Sequence, residues 1–194
     1  MPRLHIDRIP NFCKFWIYAD HVYAIEWAKT LEFFRLLELG DQRELICFSA
    51  WQIMNLNHSY FSYSKGSDKI LFPDLTFTVW TPTEAARDII TPLIRLQMDR
   101  TEYLLIKALI ICNPSCDAAS VRTREILQKE RIIISKVLFN HCMKSHGKAL
   151  GPNRFVEILA LEGILMHQAQ RTKQLQALMT VLNLRSINPK LMDE

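Results

Sequence analysis

The stretch "DQRELICFSAWQIMNLNHSYFSYS", residues 41–64, is apolar on nearly every side of a helical wheel and holds neither glycine nor proline. A helix at a protein surface needs one apolar stripe, whereas one that is apolar all round is buried by neighbours on several sides. This segment therefore predicts a central helix, and the rest of the chain must supply the elements that cover it. Glycine is scarce, at five residues in 194, and long periodic stretches favour helix over strand. A helix sandwiched in this way implies an all-α, layered globule more than a four-helix bundle.

The covering elements can be read in order. From about Phe12 to Phe34 apolar residues recur at helical steps, and Asp41 is placed to cap the central helix. "KGSDKILFPDLTFTVW" breaks the pattern: Gly66, Pro73 and the alternation of Ile70 and Phe72 predict one small β-hairpin or turn. Helices resume at "TPTEAARDIITPLIRLQ", where Thr81, Pro82 and Glu84 supply a cap, a first-turn proline and a capping box. Pro92 separates this stretch from "DRTEYLLIKALIICNP", which stops before Pro114. Ser120 to about Met143 reads as a long amphipathic helix closed by "KSHGKALGPN". Asn153 caps another, running to about Leu184.

Composition removes several function classes. The net charge of +4 comes from scattered Lys and Arg, without the dense basic stripe of a nucleic-acid-binding face. No apolar run approaches the ~18 residues of a membrane span, and "MPRLHIDRIP" lacks the apolar core of a signal peptide. The five cysteines, Cys13, Cys47, Cys112, Cys116 and Cys142, form no CxxC pairs; they read as small buried hydrophobes of a reduced, intracellular protein. Cys112 and Cys116 with His141 and His146 are the one set that could be imagined around a metal. GxSxG, Walker, HExxH and GxGxxG patterns are all absent, which argues against an enzyme.

"WAKTLEFFRLLELGDQRELI" carries a family resemblance. Trp27, Ala28, Lys29, Phe34, Leu37, Asp41, Gln42, Leu45 and Ile46 stand at the spacings of the nuclear receptor ligand-binding domain signature. "DRTEYLLIKALIICNP" is similar to that family's eighth helix and "NRFVEILALEGIL" to the start of its tenth. "YFSYSKGSDKILFPD" resembles the divergent nematode branch related to hepatocyte nuclear factor 4. The resemblance implies one layered antiparallel helical sandwich over 1–194. Residues 1–11 would be an N-terminal stub, the first helix missing or reduced, and no DNA-binding zinc-finger domain lies in this chain. Asn188 and Pro189 announce a short helix, and "LMDE" matches the first half of the family's activation helix, so 188–194 reads as a truncated form of it.

Function follows by implication. Such domains bind a small lipophilic ligand and recruit LxxLL coregulators in the nucleus, with no cofactor. By the resemblance, Lys29 and the acidic Glu194 clamp the two ends of a partner helix. The physics is that a short helix leaves carbonyls unpaired at its C-terminus and amides at its N-terminus. Ile25 lies four residues before Lys29 on one helical face; Leu39, Gln42 and Ile46 are spaced to line the other wall, and Leu191 precedes Glu194 by one turn. Arg43 occupies a groove position that is usually aliphatic in the family. Phe61 stands where many relatives place an arginine for acidic ligands.

For the ligand, Cys13, Ile17, Asp20 and Ala24 form a continuous stripe facing the helix that carries Trp51, Met54, Asn55 and His58. Asp20, Asn55 and His58 are the candidate polar anchors. The same stripe suits a filled core with Asp20 exposed; a buried Asp20 would require a donor. The long C-terminal helices are the expected homo- or heterodimer surface. The alternative function is a ligand-independent module that dimerises with or sequesters a full-length receptor.

Overall fold

In the computed structural model, residues 16–75 and 83–181 are described. Helix α1 spans Trp16–Ala28, α2 Glu32–Arg35, α3 Leu39–Ser64, α4 Thr83–Leu96, α5 Arg100–Ile111 and α6 Val121–Val181. The all-round apolar segment is α3, and it packs against α1, α4, α5 and α6. Leu45, Ile53 and Leu56 are completely enclosed there, each worth about 1.5–3 kcal/mol of hydrophobic stabilisation. A helix that contacts four others sits in the middle layer, as its composition demands.

Several local expectations are corrected. The first helical stretch ends at Ala28, not Phe34: Thr30 Oγ1 donates to the Trp27 carbonyl at 2.6 Å, and α2 then buries the adjacent Phe33 and Phe34 together. Pro92 does not separate two helices but lies within α4. Ile89, Ile90, Leu93 and Leu96 are buried on either side of it, and their combined burial exceeds the ~3 kcal/mol an internal proline costs. The true stop is at Gln97, where Gln97 N–H bonds Ile94 O and Met98 N–H bonds Leu93 O, a Schellman pattern with a non-glycine residue at φ 47°. The break in α6 falls at Gly147 (φ 72°, ψ 177°), and Asn153 lies inside the helix rather than capping it.

Of the expected hairpin, the turn at Lys65–Gly66 is present and Leu71 alone carries a β-bridge. Residues 76–82, including Thr81 and Pro82, lie outside the described residues, as do the stub and 182–194. Asp41 does not cap α3, whose N-cap is Glu38 without a side-chain bond. Its carboxylate instead accepts from Ser120 N–H at 2.9 Å, Ser120 Oγ at 2.6 Å and Thr123 Oγ1 at 2.5 Å. Those hydroxyls hold the Asp41 carboxyl below its ordinary pKa and fasten the start of α6 to the start of α3.

A second fastener is buried. Asp99 and Glu102 form a capping box at the head of α5. Glu102, fully enclosed, takes both ends of the Arg154 guanidinium, at 2.8 and 2.6 Å, while Arg154 also donates to Leu96 O. This bidentate pair joins α5, the α4 terminus and the second half of α6.

Candidate functional site

Lys29, the expected clamp residue, sits one residue past the end of α1. Lys29 N–H bonds Ile25 O at 3.0 Å, and among the described residues its exposed ammonium pairs only with Glu26 of α1, 2.6 Å away. The other expected wall is the first part of α3, which packs against α1. Leu39, Gln42, Arg43 and Ile46 fall at i, i+3, i+4 and i+7 and share a face. Leu39 is 81% exposed, Arg43 is exposed, and Gln42 and Ile46 are half-buried. Gln42 Nε2 donates to Leu37 O at 2.9 Å, which ties the turn before α3 to its first helical turn. Ile25 is half-buried and Ile46 packs on the core. Leu191 and Glu194 lie outside the described residues.

Between α1 and α3 the predicted ligand stripe is brought together in part. Asp20 is not exposed: it and His58 are each about nine-tenths buried, and His58 Nε2 donates to Asp20 Oδ2 at 2.5 Å. That bond supplies the donor a buried carboxylate requires. Ala24 is fully enclosed and Met54 nearly so, whereas Trp51 and Asn55 are half-buried. Trp51 meets the edge of His21 at 4.8 Å, so His21 is packed rather than a free surface group. Phe72 lies edge-on to His58 at 5.4 Å. Cys13 and the side chain of Ile17 lie outside the described residues. Phe61 is half-buried under the Lys65 ammonium, 5.7 Å above its ring.

A neighbouring corner was not legible in the sequence. Lys107 of α5 is 93% buried, its relative exposure being 7%, and its ammonium lies 4.4 Å from the Trp27 ring and 5.9 Å from the Tyr103 ring. Burial pulls its pKa from 10.5 down to about 8, with Asp20 pulling the other way. Tyr103 stacks on Tyr60 at 4.1 Å and donates to Asn57 Oδ1 at 2.8 Å. Burial pushes the Tyr103 phenol up to about 12. The available signal was a lysine inside the apolar run "YLLIKALIIC", which must meet either a carboxylate or an aromatic face.

The imagined metal set does not assemble. Burial pushes Cys112 up to about 12 and raises Cys116, so both thiols stay protonated and are poor ligands. His141 instead bonds Asp99 at 2.7 Å, and His146 lies 3.9 Å from Glu102. Asp99, Glu102 and His141 do converge, but Arg154 already occupies both Glu102 oxygens. Clefts of about 410 Å³ (Asp88, Gly163, Ile164, His167, Gln168) and 450 Å³ (around Val121, Arg124 and Lys129) are lined by none of the described ligand candidates. Among the described residues no helix is long and apolar enough to cross a membrane.

The sequence model for the ligand-binding domain of nuclear hormone receptor matches residues 4–181. The chain is 33% identical over 170 residues to nuclear hormone receptor family member nhr-60 of Caenorhabditis elegans, covering 86% of this chain and 38% of that protein. Nuclear hormone receptor family member nhr-154 of the same organism is 29% identical over 171 residues, covering 81% and 36%. The chain thus spans under two fifths of the length of these curated relatives. The fold matches the ultraspiracle ligand-binding domain from Drosophila melanogaster with a TM-score of 0.74, over 84% of this chain and 71% of that one, at 19% identity. The family consists of ligand-regulated transcription factors rather than enzymes, in keeping with the missing catalytic motifs. The chain belongs to the nuclear hormone receptor family, as a ligand-binding domain with the all-α layered fold of that family.

Proposed function

We propose that the chain is a transcription-regulatory domain that docks an LxxLL coregulator helix on the face bordered by Lys29, Leu39, Arg43 and Ile46. A small apolar molecule between α1 and α3 tunes that docking, acting through its different affinity for the docked and free states. The observation that supports this best is Leu39. A leucine that is 81% exposed, on the same helical face as half-buried Ile46 and across from a lysine at a helix end, is the surface an amphipathic helix needs. Leu191 and Glu194 complete the clamp in this reading, and the protein works in the nucleus. The second half of α6, with Val156 at 63% exposure, offers a face for a second receptor; direct nucleic-acid contact is no part of the reading.

The test is fluorescence anisotropy with a labelled LxxLL peptide, wild type against Lys29→Glu. Reversing the charge at the peptide's C-terminal end is expected to weaken binding about tenfold at low salt. Unchanged affinity removes the clamp assignment.

A second reading has one observation in its favour. The Asp20–His58 bond ties α1 directly to α3, so two of the candidate polar anchors satisfy each other. In that reading the chain is an interaction module that pairs with or sequesters a full-length receptor. Native mass spectrometry of the purified protein separates the two: a retained lipophile supports the first, and a ligand-free protein that still binds a receptor partner supports the second.

A further inference from the structure

The groove carries a charge that nothing in the fold uses. Arg43 lies on the exposed face of α3, one turn after Leu39. No carboxylate or carbonyl engages its guanidinium among the described residues. On the neighbouring α1, Glu26 pairs with Lys29 at 2.6 Å. Further along α3, the Lys173 ammonium reaches the Cys47 carbonyl at 3.2 Å, so the next turn adds positive charge and removes none. The first two turns of α3 therefore combine an apolar knob, Leu39, with an unpaired arginine.

From this we infer that the partner helix carries a carboxylate beside its leucines, at the position that comes to face Arg43. A guanidinium presents a planar fork of donors that matches a carboxylate in two-point contact. An aliphatic residue at that position would accept any amphipathic helix, whereas Arg43 favours an acidic one and disfavours a basic one. Its long stem covers apolar surface while the head stays in water, so docking keeps the charge at the rim. The partner class is a leucine-rich amphipathic helix with an Asp or Glu on its flank. This inference rests on the groove reading above.

The experiment is a glutamate scan of one LxxLL peptide. Each non-leucine position is substituted in turn by Glu or by its isostere Gln, and anisotropy is read on the full chain at low and at high salt. At one position Glu is expected to bind about three- to fivefold tighter than Gln at low salt, with the gap closing at high salt. Arg43→Val is expected to abolish that Glu-over-Gln preference and Arg43→Glu to reverse it, each read as the ratio of the two peptides' affinities for the same variant. Arg43 is exposed, so both variants fold, as a matched circular dichroism melt checks. Equal binding of Glu and Gln peptides at every position, or a preference that survives Arg43→Val, overturns the acidic partner and leaves the groove standing. If no LxxLL peptide binds the wild type or either variant, the groove itself is wrong.

Discussion

Lys107→Met should stabilise the protein, and by an amount that depends on pH in a direction fixed by the fold. Lys107 is buried on α5 with no carboxylate in ion-pair contact among the described residues, and its pKa falls from 10.5 to about 8. At about 1.4 kcal/mol per pH unit, that displacement corresponds to roughly 3 kcal/mol of penalty for holding the ammonium inside. Two effects reduce it: residual hydration of the charge, and the Trp27 face 4.4 Å away, worth about 1–2 kcal/mol when partly desolvated. The net cost is therefore about 1–2 kcal/mol. The folded state prefers the neutral amine, so the penalty is complete below about pH 8 and disappears as pH rises toward 10.5. Methionine has a similar length and no charge. Lys107→Met is thus expected to be about 1–2 kcal/mol more stable than wild type at pH 7, with the gap shrinking above pH 9. Cys112 and Tyr103, which titrate in the alkaline range, are common to both proteins, so the difference between them isolates Lys107. Urea denaturation of both proteins at pH 7 and pH 10 measures it. A variant less stable than wild type at pH 7, or a gap that does not move with pH, refutes the reasoning.

Two further outcomes are expected. Gln97→Gly should raise stability by about 1 kcal/mol, because a glutamine at φ 47° holds the left-handed position of a helix stop where glycine is unstrained; a lower melting midpoint would contradict this. Arg154→Ala should cost about 3–5 kcal/mol, since it strands the fully enclosed Glu102 carboxylate without its partner; Glu102→Gln in the Arg154→Ala background should recover part of the loss in the same denaturation assay.

What the sequence revealed and what it hid divide along physical lines. The place of α3 was legible because burial on all sides leaves a composition that no surface helix has. Periodicity also located α5, whose cap at Asp99 and Glu102 is local. Long-range polar pairing was not legible. Asp20 and His58 are 38 positions apart, and either could have faced water. Asp41 precedes an apolar run as a helix cap does, yet its oxygens serve Ser120 and Thr123, 79 and 82 residues on. Pro92 misled for a different reason: the propensity cost is local and fixed, while the burial that outweighs it is tertiary.

The signature itself can now be sorted by what each residue does in the monomer. Ala28, Phe34, Leu37 and Leu45 are enclosed in the core. Trp27 and Ile46 pack against it, and Trp27 also covers the Lys107 ammonium. Asp41 joins α3 to α6, and Gln42 bonds the preceding turn. Folding alone accounts for these eight. Lys29 is the exception: it is exposed and makes one i,i+3 surface pair, of a kind worth about 0–1 kcal/mol. A residue that matches a family signature while contributing almost nothing to its own fold is best explained by something outside the monomer. Its place at the end of α1 suits the proposed partner helix, whose unpaired terminal carbonyls an exposed ammonium can meet. In the proposed docking Glu26 is its internal competitor, since the ammonium would leave a 2.6 Å contact for the partner's terminal carbonyls, and Glu26→Gln is expected to tighten peptide binding.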